Sequence, residues 1–201
     1  KDSTATLQLV WQALEGLQGE ERQHKPVHVI STDTLVESPV VVAWVNRSLE
    51  RISAAALKKQ VPIQAHRLTP KVNDSYWVNL IGRGYPAPRP QFRWCTVRLK
   101  ITPSNDFIKN VIAGHGEAIV VLGTRKAESA ARAATMKHYE QKRVREWLSP
   151  NGSMNNSYVF SPIEDWSNDD VWFYLMQTPN PWGHSNKELL NMYQGASADG
   201  E

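Results

Sequence analysis

A single cysteine, Cys95, excludes an intramolecular disulfide, so the fold must be held by burial and hydrogen bonding. No apolar run approaches the roughly 18 residues of a membrane-spanning helix, and no secretory leader pattern opens the chain. The expectation is a cytoplasmic protein with no membrane partner. Net charge is scarce too, +3 over 201 residues, which excludes a uniformly charged chain. What is present is 41% hydrophobic content and eight tryptophans, sufficient for one buried core with aromatics to spare for a ligand or partner.

The small net charge hides an uneven distribution. Between His66 and Lys100 the cations Arg67, Lys71, Arg83, Arg89, Arg93, Arg98 and Lys100 face only Asp74, a local balance of +6, whereas the chain from Ile163 onward sums to −6. A cationic middle segment suits the phosphates of a nucleotide or a nucleic acid. Solvated loops and helix faces would account for the same charges.

Leu7, Val10, Trp11, Leu14 and Leu17 recur at three- and four-residue spacing, predicting a helix from about Ser3 to Leu17 capped by Ser3 or Thr4. Its N-terminus would present unpaired N–H groups to a polyphosphate, with Lys1 adding a mobile cation. Strand and helix patterns then alternate: a strand over Pro26–Ser31, a helix from Pro39 to Gln60, a strand over Val61–Leu68. Alternation of this kind predicts an α/β fold, an open, mostly parallel sheet flanked by helices. The cluster Ser31-Thr32-Asp33-Thr34 falls at a strand's carboxyl end, where such sheets bind ligands, though it would equally cap the next helix.

Residues 69–103 show no sustained period but carry prolines, Tyr76, Trp77, Tyr85, Trp94 and most of the basic cluster. A long irregular segment in a compact domain points to function; Trp77 or Trp94 could stack on a base. A helix over Pro103–Ile112 follows, then Ala118–Leu122, whose continuous apolar run predicts a strand buried on both faces. Gly123-Thr124-Arg125 comes directly after it, placing a guanidinium fork at a strand's carboxyl end. A basic helix from Glu128 to about Trp147, a strand at Tyr158–Phe160, a helix opened by the capping box Ser167-x-x-Asp170 and ended before Pro179, and a last helix over Lys187–Tyr193 complete the pattern. We expect a nucleotide-binding domain over 1–162, with 69–103 as an irregular basic insertion around Cys95. A helical extension over 163–201, truncated at its end, would follow.

Lys1-Asp2-Ser3 matches the second half of the Ser-Gly-Gly-x-Asp-Ser loop of PP-loop ATP pyrophosphatases, its glycines and the strand before them being missing from the chain. Together with Ser31–Thr34, Gly123-x-Arg125-x-x-Glu128-Ser129 and the Ser161-Pro162-Ile163 to Trp166 turn, it makes the chain resemble the phosphoadenylylsulfate (PAPS) reductase family. Arg93-Trp94-Cys95-Thr96, Arg125–Arg132 and Glu164–Trp172 look most like its DndC subfamily, the sulfurtransferases of bacterial DNA phosphorothioation. The resemblance implies a HUP-type sheet that splits ATP between its α and β phosphates and an enzyme that activates the DNA backbone before sulfur insertion.

On that resemblance Lys1, Asp2, Ser3, Thr4, Ser31, Thr32, Asp33, Arg125, Glu128 and Ser129 would bind the nucleotide, with Lys1 and Arg125 catalytic. Asp2 would serve as a Mg²⁺ ligand. Arg83, Arg89, Arg93 and Arg98 would take the DNA backbone. Cys95 would ligate a 4Fe-4S cluster whose other ligands lie outside the chain, since one thiolate cannot hold four irons. A cysteine desulfurase as sulfur source and other phosphorothioation proteins would be the partners. Two rival expectations are a thiol-dependent PAPS or adenylylsulfate reductase and a non-catalytic DNA-binding or assembly subunit.

Overall fold

A computed structural model of the chain describes residues 1–198. The helices are α1 (Asp2–Gly16), α2 (Gly19–Gln23), α3 (Pro39–Lys59), α4 (Thr102–His115), α5 (Ala130–Glu140), α6 (Asn168–Gln177) and α7 (Asn186–Ala198). The strands are β1 (Val27–Thr32), β2 (Ile63–Leu68), β3 (Ala118–Val121), β4 (Ser149–Pro150) and β5 (Ser157–Phe160). The fold is α/β with mostly parallel pairing and flanking helices, as the alternation predicts. Hydrogen bonding gathers the strands into two sets, the pair β1-β2 and the triplet β3-β5-β4. The chain forms two compact units: Lys1–Arg22 with the chain from His115 onward, and Gln23–Gly114.

In the Gln23–Gly114 unit, β1 and β2 run parallel from Val27 opposite Ile63 to Thr32 opposite Leu68. The helix α3 joins them. Pro39 begins it with φ already set for a helix, Ile52 and Ala56 are its buried residues, and Gln60 closes it in the left-handed region at φ 52°. Because α3 starts only at Pro39, with Ser38 as its N-cap, the Ser31–Thr34 cluster is not its cap. The irregular 69–103 segment is built from tight turns: a 3₁₀ turn at Val72–Asp74 and π-helical turns at Val78–Gly82 and Thr96–Ile101.

In the other unit β3 and β5 pair in parallel, Ala118 opposite Ser157 through Val121 opposite Phe160, and β4 adds an antiparallel edge. The expectation that β3 is buried on both faces is not met, because Ile119 is 54% exposed and Val121 38%. Within its sheet β3 has only β5 beside it, and strand residues alternate between faces, so every second side chain turns outward. The predicted helix to Trp147 ends at Glu140, after which Val144 N–H donates to the Leu148 carbonyl and Leu148 N–H to the Arg145 carbonyl in a turn leading into β4.

The core of this unit gathers on α1 along a face that follows the predicted stripe only in part: Leu7, Val10 and Leu14 are half-buried. Ala5, Gln8 and Trp11 are fully buried while Leu17 is exposed. Gln8 can take a core position because Asn186 Nδ2 donates to its Oε1 at 3.0 Å, and the same Nδ2 donates to the carbonyls of Leu175 and Thr178. Trp11 meets Trp182 at 5.8 Å between ring centroids. Helices α6 and α7 therefore belong to the compact unit of α1, and the unit boundaries do not fall at residue 162. The capping box predicted for α6 is present: Asp170 N–H donates to Ser167 Oγ, and Ser167 N–H to Asp170 Oδ2. α7 continues past the predicted Tyr193 to Ala198, and residues 199–201 of the expected tail lie outside the described residues.

Candidate functional site

The first turn of α1 lies directly against the segment that leaves β3. At Gly123 a Cβ would sit 2.8 Å from the carbonyl carbon of Asp2 and 2.9 Å from Asp2 O and Ser3 N. Only glycine admits so close an approach of two backbones. Two residues on, Arg125 Nε donates to Asp2 Oδ1 at 2.8 Å and its Nη1 to the Trp166 carbonyl at 3.3 Å. The Arg125 side chain is only 6% exposed. The sequence placed this guanidinium as an open phosphate fork; the structure shows it clasping the helix start to the strand end.

Lys1 is the N-cap of α1, and neither Ser3 nor Thr4 provides the side-chain cap that the sequence led us to expect. The opening N–H groups of the helix are thus left to a ligand or to water, and a helix start of this kind favours an anion. Lys1 Nζ donates to Asn168 Oδ1 at the start of α6 and lies 5.7 Å from the Trp172 ring centroid. Ser3 is exposed and Thr4 half-buried. Glu128 and Ser129 serve the local turn: Glu128 Oε1 accepts from Arg125 N–H at 2.9 Å, and Ser129 Oγ caps α5 by accepting from Arg132 N–H. Thr124 and Ser161, at the carboxyl ends of the paired strands, bring their hydroxyls within 2.9 Å.

Next to Arg125, Lys126 Nζ reaches Glu140 at 2.5 Å and Asp165 at 2.7 Å. Its hydrogen bonds to Asp165 and then Glu140 hold its pKa well above the ordinary lysine value, outweighing the opposite push of burial. Glu164 in turn receives Arg143 Nη2 on both oxygens, at 2.7 and 2.8 Å. This network anchors the Gly123–Glu128 segment to the turn before α6.

In the Gln23–Gly114 unit the Ser31–Thr34 cluster follows β1. Asp33 is buried, accepts from Leu35 N–H at 2.7 Å, and is ion-paired to Arg67. Burial pushes its carboxyl up, but the Arg67 hydrogen bond, the Leu35 N–H and the Arg67 charge together hold it below the usual carboxylate range. Thr32 Oγ1 meets Ser104 Oγ at 3.1 Å and Thr34 Oγ1 donates to Glu37 at 3.0 Å. The sequence-predicted nucleotide residues thus form two constellations: Lys1, Asp2, Ser3, Thr4, Arg125, Glu128 and Ser129 in one unit, and Ser31, Thr32 and Asp33 in the other.

Of the four arginines assigned to DNA, Arg98 is engaged internally, donating to Asp74 at 2.7 Å and to the Tyr85 hydroxyl at 2.9 Å. Arg83, Arg89 and Arg93 are exposed. Trp94 is buried and donates to the Pro86 carbonyl, which removes it as a stacking surface, while Trp77 is exposed. Cys95 is a half-buried free thiol at the head of the Thr96–Ile101 turn. Among the described residues no three or more His, Cys, Asp or Glu side chains gather as a metal would require, and no helix is long and apolar enough to cross a membrane. The contacts made by Asn168, Trp166, Arg67 and Lys126 were not legible in the sequence, since none carries a local signal for a partner far along the chain.

The family described as phosphoadenosine phosphosulfate reductase domain matches residues 1–182. No match is found among curated proteins. The crystal structure of phosphoadenylyl-sulfate (PAPS) reductase from Candida auris in a phosphate complex aligns with a TM-score of 0.45 and 18% identity, over 84% of this chain and 66% of that one. The chain spans just under two thirds of that protein's length.

Proposed function

Because this chain belongs to the phosphoadenosine phosphosulfate reductase domain family, we propose that it binds ATP with the triphosphate at the first turn of α1, cleaves it between the α and β phosphates, and so activates a DNA phosphodiester for sulfur insertion. The observation that carries this reading is the seat formed where Gly123 meets the Asp2–Ser3 backbone and Arg125 clasps Asp2. The clasp fixes the uncapped N–H groups of α1, so donors for a phosphate are oriented before it arrives.

In this scheme a non-bridging oxygen of the DNA phosphodiester attacks the α-phosphorus, the α–β bond breaks, and pyrophosphate leaves. The phosphodiester is now joined to AMP, which turns a poor leaving group into a good one. A hydrosulfide nucleophile, released by a thiol reductant from a cysteine desulfurase persulfide, then attacks the DNA phosphorus; the P–S bond forms, AMP departs with the original oxygen, and the sulfur's proton goes to solvent. Lys1 adds positive charge at the helix start, and Arg125 acts through Asp2. The Asp2 carboxylate, bonded to Arg125 through Oδ1, keeps Oδ2 for Mg²⁺, which is commonly held by one or two carboxylates plus substrate phosphates and would neutralise charge on them. An iron–sulfur cluster does not fit the residues present: Cys95 is the only thiol, and no step is routed through such a group.

Pyrophosphate release from ATP, with and without DNA, tests the reading against release of sulfite from an adenylylated sulfate by thiols. DNA-stimulated pyrophosphate release is expected. Sulfite release without ATP cleavage would make the chain a reductase and overturn the proposal.

A further inference from the structure

We propose that Trp77 is a stacking platform for one unpaired base of a nucleic-acid strand whose phosphates are held by Arg83, Arg89 and Arg93. This rests on the DNA reading above and specifies the form of DNA that is taken. A single exposed tryptophan is ordinarily unremarkable on a protein surface, but Trp77 ends a braced ladder of rings. Its ring meets Tyr76 edge-on at 5.1 Å, Tyr76 stacks on Trp94 at 5.5 Å and 24°, and Trp94 meets Tyr85 edge-on at 5.5 Å. The ladder is locked at its far end, where the Arg98 guanidinium lies 5.3 Å from the Tyr85 ring centroid and pairs with Asp74. Trp94 is buried, whereas Trp77 keeps 57% of its surface exposed. A ring already fixed in place loses little freedom when a ligand stacks on it.

Charge selects the occupant. Arg67, Lys71, Arg98 and Lys100 are matched to Asp33, Asp106, Asp74 and Glu37. Among the described residues Arg83, Arg89 and Arg93 have no carboxylate partner. Arg83 closes the same Val78–Gly82 turn that Trp77 opens, and it is tethered by Asn79 Oδ1 at 3.3 Å. Asn79 is itself fully buried and donates to the Ser75 carbonyl at 2.8 Å. Uncompensated arginines in the same 69–103 segment as a fixed, exposed aromatic face, one of them closing the turn that Trp77 opens, call for a ligand that is both polyanionic and flat-faced. A nucleic-acid strand supplies phosphates and bases together. In a fully paired duplex the base faces are covered by their neighbours, so stacking on Trp77 needs a single strand or a base turned out of the helix.

The test compares wild type, Trp77→Phe and Trp77→Ala on a fluorescent single-stranded oligonucleotide, its abasic counterpart of equal length, and a fully paired duplex. Near-ultraviolet circular dichroism of each variant confirms the fold. Stacking predicts that Trp77→Ala loses about 5- to 140-fold in affinity for the single strand. Trp77→Phe should keep most of that affinity, and binding to the abasic strand should not change. Equal binding of the single strand by wild type and Trp77→Ala, or equal loss on the abasic strand, overturns the platform while leaving the DNA reading intact. Failure of the wild type to bind any of the three nucleic acids overturns both.

Discussion

Replacing Gly123 by alanine tests the seat at its narrowest point. The new methyl would lie 2.8 Å from the Asp2 carbonyl carbon, where carbon–carbon contacts settle near 3.5–4.0 Å, so it is about 0.7–1.2 Å too close. The obstacle is the backbone of a helical turn and cannot be relieved by a rotamer. Forced shifts of this kind cost roughly 1–3 kcal/mol, or about 2–12 °C in melting temperature for a chain of this length. The same shift pulls Asp2 from the 2.8 Å bond to Arg125, and a displacement near 1 Å at a reacting site lowers rates by about a hundredfold. Gly152→Ala is the control: a Cβ there would meet Tyr139 Oη at 2.6 Å, but that is the tip of a side chain that can swing. Thermal unfolding followed by circular dichroism and pyrophosphate release from ATP measure the two effects. Gly123→Ala with wild-type melting and turnover would refute the argument that this contact forms the site.

Arg125→Ala should destabilise the chain by about 3 kcal/mol in urea unfolding, because it leaves the partly buried Asp2 without its charge partner. Asp33 carries a pKa held below normal, so the folded state binds fewer protons than the unfolded one just below pH ~4. Its contribution is complete above the unfolded value of about 3.9 and is lost as pH falls through the depressed folded value. Asp33→Asn should flatten that acid limb of a stability–pH curve. With Arg98 committed to Asp74, Arg83, Arg89 and Arg93 would supply the phosphate contacts, and the plot of log affinity for duplex DNA against log salt should slope at about −2.7. Arg93→Ala should reduce that slope by about one contact.

Most element positions were legible because burial imposes a period. α3 ends within one residue of its predicted limit, and α6 announces itself through Ser167 and Asp170, a signal confined to four residues. The members of the candidate site could be named by residue type, but their contacts could not. Asp2 and Arg125 do meet, yet their pairing spans most of the chain and leaves no local trace. The buried side of α1 was read only in part for a related reason: Trp11 is buried as its spacing predicts, but Gln8 is polar in sequence and enters the core because Asn186 supplies its hydrogen bond. The outward turn of Ile119 and Val121 likewise depends on which strands lie beside β3, and an apolar run does not record that. Nor does composition distinguish Trp77 from Trp94; the Pro86 carbonyl that fixes Trp94 does.

The hydrogen bonds of Asn186 bear on how a minimal fragment should be cut. The recognisable family stops at residue 182, and an expression boundary drawn there would discard Asn186 and the Leu189 that follows it in the core. Such a fragment would keep Gln8, Leu175 and Thr178 but strip a donor from three buried or half-buried oxygens, at about 1–3 kcal/mol for each one left unsatisfied. Gln8 lies on the helix whose first turn is the proposed phosphate seat, so the expected loss is poor nucleotide retention as well as poor solubility. The packing of this unit runs past the end of the family match, and α7 belongs in any fragment made for purification.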